Sequence, residues 1–213
     1  MREKAVIAAN TVERLSLYRR LLEAWLEKGT SSLYSHQIAA MACVTPAQVR
    51  RDLMAIGYSG SPNRGYSVDA LEESIGTFLG SDRVRKIGLV GMGNLGRALT
   101  TYFTSRVPRF KMAAAFDIDP KKTGRVIAGC MVYGIEMIPE IIPAEGIRTA
   151  VLALPVESAQ HMADMLVKAG IKGILNYAPV PLRLPADVFL ENRDVTAALE
   201  KVAFFSGPSS EGK

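Results

Sequence analysis

Apolar positions recur at spacings of three and four from the start of the chain: Val12, Leu15, Tyr18, Leu22, Trp25 and Leu26. That is the stripe of an amphipathic helix. Asn10, with Glu13 three residues on, fits a capping box at its start, and Gly29 closes it. A polar stretch, Thr30–Ser32, precedes a second helix from about Ser35 to Ala42, with Ile38 and Ala39 on its inner face. After a break at Cys43-Val44 comes a sharply written helix start, Thr45-Pro46-Ala47-Gln48. Threonine at the N-cap, proline at the first helical position and glutamine at the third each answer an unbonded backbone amide in a different way. Val49, Leu53 and Ile56 form the buried stripe of this helix, while Ala47, Arg51 and Met54 face outward with Gln48 and Arg50 on the flanks. Gly57–Gly65 is rich in Gly, Ser, Pro and Asn; Tyr66–Val68 reads as a short strand, and Asp69–Leu79 as a helix.

Beyond a charged link, Gly80–Lys86, short apolar strands alternate with helices. Ile87–Val90 leads through Gly91-Met92-Gly93-Asn94-Leu95-Gly96 into a helix from Leu95 to about Arg106. Strand Met112–Phe116 ends at Asp117. Strand Thr149–Leu154 precedes helix Glu157–Ala169, and strand Gly173–Leu175 ends in Asn176-Tyr177-Ala178-Pro179-Val180. An apolar helix, Thr196–Phe205, stands near the end of the sequence with little left to cover it, which suggests docking on a second subunit. The pattern divides the chain into residues 1–85, 86–195, a helix at 196–206 and a disordered-looking tail at 207–213.

Composition narrows the class. The 213 residues are 48% hydrophobic and 22% charged, as in an ordinary folded protein. No run approaches the roughly 18 apolar residues of a membrane span, and Ala5–Ala9 is too short for a signal peptide, so a cytoplasmic protein is expected. Two cysteines, Cys43 and Cys130, make no disulfide framework, and no Cys/His cluster has zinc-ligand spacing; no metal is expected. The net charge of +5 is spread along the chain, 11 Lys/Arg against 9 Asp/Glu through Arg85 and 15 against 12 beyond it. Charge suits a polyanionic partner but does not locate a site.

The motifs locate two. A tight turn joining a helix to a capped helix is the pattern of a helix-turn-helix, whose outer face carries arginines able to fork onto guanine edges or phosphates. The turn-rich segment after it reads as a wing between two short strands, with Arg64 at its tip. This pattern alone leaves open a solvated helical bundle with surface arginines. The second motif is G-x-G-x-x-G between a strand and a helix. Gly91 permits the tight turn, Gly93 lets a pyrophosphate approach the backbone, and Gly96 lets helix and strand pack closely. Asp117, about 21 residues after Gly96, stands where an acid takes the ribose hydroxyls of NAD. Lys121, Lys122 and Arg125 keep NADP in play, although an acid at Asp117 argues against a 2′-phosphate. Pro155 and Asn176–Val180 fall at carboxyl ends of strands, where doubly wound sheets bind ligands.

A dehydrogenase would need a proton donor beside the nicotinamide. His36 lies in the other half of the chain, His161 sits inside an amphipathic helix, and Tyr102 has no sequence partner marking a catalytic pair. A CoA-binding module is argued against by the capped helix-turn-helix. A thiol sensor at Cys43 lacks a charge cluster to stabilise a thiolate.

Four stretches together resemble the Rex family of redox-sensing repressors: Thr45–Leu53 (TPAQVRRDL), Gly91–Leu99 (GMGNLGRAL), Phe116–Pro120 (FDIDP) and Gly170–Val180 (GIKGILNYAPV). The resemblance implies an α/β protein with an N-terminal winged helix-turn-helix, a C-terminal Rossmann dinucleotide-binding domain and a swapped C-terminal helix. It implies a non-enzymatic homodimer that binds operator DNA and leaves it when NADH replaces NAD⁺. By matching position, Gly91, Gly93, Asn94, Leu95, Gly96 and Arg97 hold the pyrophosphate and Asp117 the adenosine ribose. Pro155, Asn176, Ala178 and Pro179 line the nicotinamide pocket, with Tyr102 near it. Arg20, Tyr102 and Asp194 form the switch, Arg20 and Asp194 exchanging partners between the two states. Thr45, Ala47, Gln48, Arg50, Arg51 and Arg64 face DNA. The wing departs from the family: its arginine lies two positions late, and Ala55 and Ile56 replace two aromatic residues. An operator different from the family's usual one is therefore expected.

Overall fold

Leu15, Tyr18 and Leu22, the centre of the first apolar stripe, are buried on helix α1 (Ala9–Leu26) in the computed structural model, which describes residues 7–61, 63–80 and 83–207. The chain divides into two units, Met1–Arg83 and Val84–Lys213. In the first, strand β1 (Ser32–Leu33) precedes helices α2 (Ser35–Ala42) and α3 (Pro46–Ala55), then strand β2 (Tyr66–Ser67) and helix α4 (Val68–Leu79). Leu15, Leu22, Leu33, Ile38, Val49, Leu53, Leu71 and Ile75 meet in one core. Burying each such side chain is worth about 1.5–3 kcal/mol.

Two local expectations for this unit fail. The capping box of Asn10 and Glu13 does not form, because the chain turns helical at Ala9, with the Thr11 and Val12 N–H groups on the Ala8 carbonyl. Asn10 then lies inside the first turn, where its side chain cannot act as a cap. Among the described residues, only the second of the two strands expected beside the wing is a full strand, β2. β2 pairs antiparallel with β1, Ser32 opposite Ser67, and the wing turn is closed by a bridge between Ser61 and Gly65. At α3 the reading holds in part. Thr45 Oγ1 accepts from the Gln48 N–H at 3.1 Å and Pro46 opens the helix. The Gln48 side chain does not reach back to the cap; it donates to Asp52.

The second unit contains a seven-stranded sheet. Strand β3 (Arg85–Val90), helix α5 (Asn94–Arg106), strand β4 (Phe110–Asp117) and the hairpin β5 (Arg125–Ile127)–β6 (Cys130–Gly134) come first. Helix α6 (Ile138–Ala144), strand β7 (Thr149–Leu152), helix α7 (Val156–Lys168), strands β8 (Gly173–Asn176) and β9 (Phe189–Asn192), and helix α8 (Val195–Ser206) follow. The spatial order is β5-β6-β4-β3-β7-β8-β9, with only β5 antiparallel to its neighbour. The six parallel strands therefore run third-second-first-fourth-fifth-sixth, the doubly wound order whose direction of progression reverses between β3 and β7. Val90, Phe116, Ala150 and Leu152 of the central strands are buried with Ile138, Ile142, Met162 and Leu166 of the covering helices. No residue of α8 is buried; Leu199, Phe204 and Phe205 are 67%, 80% and 79% exposed. Of the tail, Gly207 is the last described residue and 208–213 lie outside the described residues.

Candidate functional site

The order of progression reverses between β3 and β7, and the glycine motif follows β3 at the carboxyl end of the strands there, where doubly wound sheets bind ligands. Gly91 follows β3 with φ +98°, and a Cβ there would run into the Ala153 carbonyl beyond β7. Gly96, buried in the first turn of α5, packs so closely that a Cβ would strike the Gly91 carbonyl. Gly93 is the opposite case. It is the exposed N-cap of α5, no side chain caps it, and a Cβ built on it meets nothing within 4 Å. The motif thus has two glycines consumed by packing and one facing open space at a helix N-terminus, where backbone amides and the helix dipole favour an anion. Asn94, Leu95 and Arg97 are exposed around it.

Asp117 ends β4 beside this turn and is buried, yet its carboxylate is already engaged. Oδ2 accepts from the Met92 N–H at 2.8 Å and from Lys122 Nζ at 3.0 Å, and Oδ1 accepts from the Asp119 N–H at 2.9 Å. Burial pushes its pKa up, but the Asp119 amide, Lys122 and the Met92 amide outweigh that and hold it below the usual carboxylate range. Asp117 therefore braces the glycine turn through Met92. The Lys122 ammonium, which the sequence brings forward only for its bearing on NADP, is part of this arrangement.

Beyond the carboxyl end of β7, Pro155 is the exposed N-cap of α7. Asn176 is buried and its amide is spent on the loop: Nδ2 donates toward the Val180 carbonyl and Asn192 Oδ1, each at 2.9 Å, and Oδ1 accepts from the Ala178 N–H at 3.0 Å. It shapes the loop that carries buried Ala178 and exposed Pro179. Tyr102, on α5, is 56% exposed and meets Phe103 edge-on at 5.5 Å.

In the other unit Thr45, Ala47, Arg50 and Arg51 are exposed on α3 and its cap, and Arg64 is exposed in the wing turn. Arg50 Nη1 donates to Ser35 Oγ at 3.1 Å. Gln48 is drawn toward α1 by Asp52, a residue that the sequence motifs do not single out. Asp52 is 2% exposed and receives Arg14 through two bonds of 2.7 Å, Tyr18 Oη at 2.9 Å and Gln48 Nε2 at 2.9 Å. Burial raises its pKa, but these donors and the Arg14 charge prevail and lower it. The same burial and pairing push Tyr18 well above its ordinary value.

Residues 6–53 match the family model of a putative DNA-binding protein N-terminus, and residues 82–180 match the CoA binding domain model. The chain is 41% identical over 201 residues to the redox-sensing transcriptional repressor Rex of Rhodopirellula baltica, covering 94% of this chain and 85% of that protein. It is 40% identical to Rex of Thermus thermophilus, over 91% of this chain and 90% of the other.

The chain belongs to the Rex family.

Among solved structures it resembles the Rex-family repressor RSP in complex with NAD⁺ and operator DNA, at a TM-score of 0.88 and 32% identity, covering 94% and 93% of the two chains. It also resembles RSP in complex with NADH, at a TM-score of 0.83, covering 94% of each chain. The expected repressor and the expected two-part α/β architecture agree with these relatives, which carry the name of a repressor and not of an enzyme. The CoA alternative survives only in the name of the matched domain model, since the Rex relatives span nearly the whole chain.

The proposed switch pair lies in different units. Arg20 is exposed on α1, where Nη1 donates to Ser16 Oγ at 3.1 Å. Asp194 is the N-cap of α8, its Oδ1 accepting from the Ala197 N–H at 2.9 Å. Among the described residues no group of three or more His, Cys, Asp or Glu is placed to hold a metal ion, and no helix is long and apolar enough to cross a membrane.

Proposed function

We propose that this Rex-family chain binds operator DNA as a cytoplasmic homodimer and senses the NADH/NAD⁺ ratio, releasing the DNA when NADH binds. The carrying observation is the division of labour among the three glycines: Gly91 and Gly96 are consumed by packing while Gly93 leaves the N-terminus of α5 open. That is what a dinucleotide pyrophosphate requires. In this reading residues 86–195 hold NAD(H), with Asn94, Leu95 and Arg97 around the pyrophosphate, Asp117 at the adenosine end, and Pro155, Asn176, Ala178, Pro179 and Tyr102 around the nicotinamide. Residues 1–85 hold DNA through Thr45, Ala47, Gln48, Arg50, Arg51 and Arg64, and helix α8 docks on a second subunit. RSP, the relative solved with operator DNA and with NADH, supports the pairing of the two ligands.

The test is a titration of NADH against the protein bound to a duplex from upstream of its own gene, followed by fluorescence anisotropy at fixed salt. Release at rising NADH, opposed by NAD⁺, is expected. Retention of DNA at saturating NADH overturns the sensing part of the reading. Failure to bind any duplex selected from a random pool overturns the whole.

A further inference from the structure

The residues around the start of α2 hold both neighbours of the DNA-facing surface. Ser35 receives Arg50 of the recognition helix α3, Nη1 to Oγ at 3.1 Å. Tyr34, immediately before it, donates its phenolic hydrogen to the Asn63 carbonyl in the wing turn at 3.1 Å. Its ring stacks on His36, with centroids 5.8 Å apart and planes 12° from parallel. The wing turn itself is closed by paired backbone bonds of 2.9 Å between Ser61 and Gly65. Gly65, at φ +69°, lies so close to the Leu33 carbonyl and the Tyr34 ring that no side chain fits there. Arg64 is exposed in this turn, next to Asn63. Neighbouring residues, 34 and 35, therefore fix the turn of one exposed arginine and the guanidinium of another.

Tyr34 is 42% exposed, so its hydroxyl could be solvated as easily as bonded, and the bond adds little to folding. What it does change is geometry. This bond and the close approach of Gly65 to the Leu33 carbonyl tie the wing turn to the start of α2, and through them Arg64 takes its offset from Arg50. An arginine that must be ordered on binding loses affinity to that ordering. We propose that Tyr34 is a positioning residue for DNA recognition: it pins the wing so that Arg64 meets the duplex in register with Arg50 on α3. The proposal rests on the DNA-binding reading above.

The experiment measures affinity for a duplex that the wild-type protein selects from a random pool, using wild type, Tyr34→Phe, Arg64→Ala and the double variant. Tyr34→Phe keeps the ring and its stack and removes only the hydrogen bond. It should weaken binding roughly fivefold, what one ordinary hydrogen bond is worth. Its thermal midpoint should fall by no more than roughly 4–8 °C, the shift one such bond makes in a domain of roughly 60–100 residues. Arg64→Ala should weaken binding roughly tenfold. The double variant should bind no more weakly than Arg64→Ala alone, because Tyr34 acts through Arg64. Multiplying losses, or a Tyr34→Phe protein that binds as wild type, overturn the proposal. Arg51→Ala separates the two levels. If it weakens binding while Tyr34→Phe does not, the positioning role fails alone; if neither Arg51→Ala nor Arg64→Ala has any effect, the DNA-facing surface is wrongly assigned and the proposal falls with it.

Discussion

Adding one methyl group at each glycine of the motif separates folding from binding. Gly93 has extended backbone, φ −80° and ψ −163°, which alanine adopts freely, and its Cβ would meet no atom within 4 Å. Gly93→Ala should therefore fold at least as well as wild type, with a gain of about 0.4–1 kcal/mol from a less flexible unfolded chain. The new methyl stands in the space a pyrophosphate must enter to reach the α5 amides. Holding it off should cost about 1–3 kcal/mol, the scale of an overfilled site, which is about 5- to 150-fold in affinity. At Gly96 and Gly91 the methyl would meet backbone carbonyls, of Gly91 and Ala153, which cannot swing aside as a side chain can. Those variants should lose about 3 kcal/mol or more, with the φ of +98° adding strain at Gly91. Thermal melting by circular dichroism and calorimetric NADH titration give the two readouts for all three variants. NADH affinity at wild-type level in Gly93→Ala, or a melting loss there as large as in Gly96→Ala, would refute the assignment of the open glycine to the pyrophosphate.

Asp117→Ala should weaken NADH by about 1–3 kcal/mol and, because Asp117 holds the Met92 N–H, should speed hydrogen exchange at that amide in the unliganded protein; unchanged exchange means the carboxylate does not brace the turn. Asp52→Ala should destabilise the N-terminal unit by about 3 kcal/mol, the low end for half of a buried pair because Arg14 is 24% exposed, measured by urea unfolding at pH 7. Asp52 has a depressed folded pKa, so its contribution is complete above the ordinary carboxylate value and is lost only as pH falls below that value and through the folded one; a stability loss between pH 8 and 6 that disappears in Asp52→Ala contradicts the assignment. Asp194→Asn retains the α8 cap while Asp194→Ala forfeits about 1 kcal/mol of it. If the charge is what matters to the switch, both should uncouple NADH from DNA release, and coupling retained in Asp194→Asn would assign Asp194 to capping alone.

What the sequence made legible follows from the range of each interaction. The start of α3 was readable because Thr45, Pro46 and the Gln48 amide act within four residues, and the glycine turn because its constraints are backbone constraints tied to residue type. The sequence does not single out β9, four partly exposed residues, or the hairpin β5–β6, whose apolar stretch is split by the turn at Ala128-Gly129 into pieces too short to read as strands. Helix α6 was hidden by Pro139 and Pro143, which read as breakers although one sits in the first turn and the other near the end. Asp52 carried one local sign, its i,i+4 spacing from Gln48. Its decisive partner, Arg14, lies 38 residues away across the fold. The engagement of Asp117 was unreadable for a similar reason: the residue type and position predict a ribose ligand, but only packing reveals that Met92, Asp119 and Lys122 already use the carboxylate.

Helix α8 bears on how a nucleotide could move DNA heads at all. A ligand shifts an equilibrium only by its differential affinity for the two arrangements, and moving a population from 1:99 to 99:1 takes about 5.5 kcal/mol. In a rigid, deeply buried dimer that energy would be small against the interface. Here Val195, Leu199, Val202, Phe204 and Phe205 are all at least 63% exposed on a helix that has no buried residue. Covering them on a second copy, at about 1.5–3 kcal/mol each, yields on the order of 10 kcal/mol. Association itself costs about 4–15 kcal/mol in lost freedom. If two copies exchange α8 symmetrically, both helices are covered and the gain exceeds that cost, so a nucleotide would act by shifting how the copies are arranged rather than by separating them. Asp194 stands at the first turn of that helix, two residues past β9 in the nucleotide unit. If the switch assignment holds, a change in what its carboxylate binds acts at the N-cap of α8, the helix that carries these exposed apolar residues.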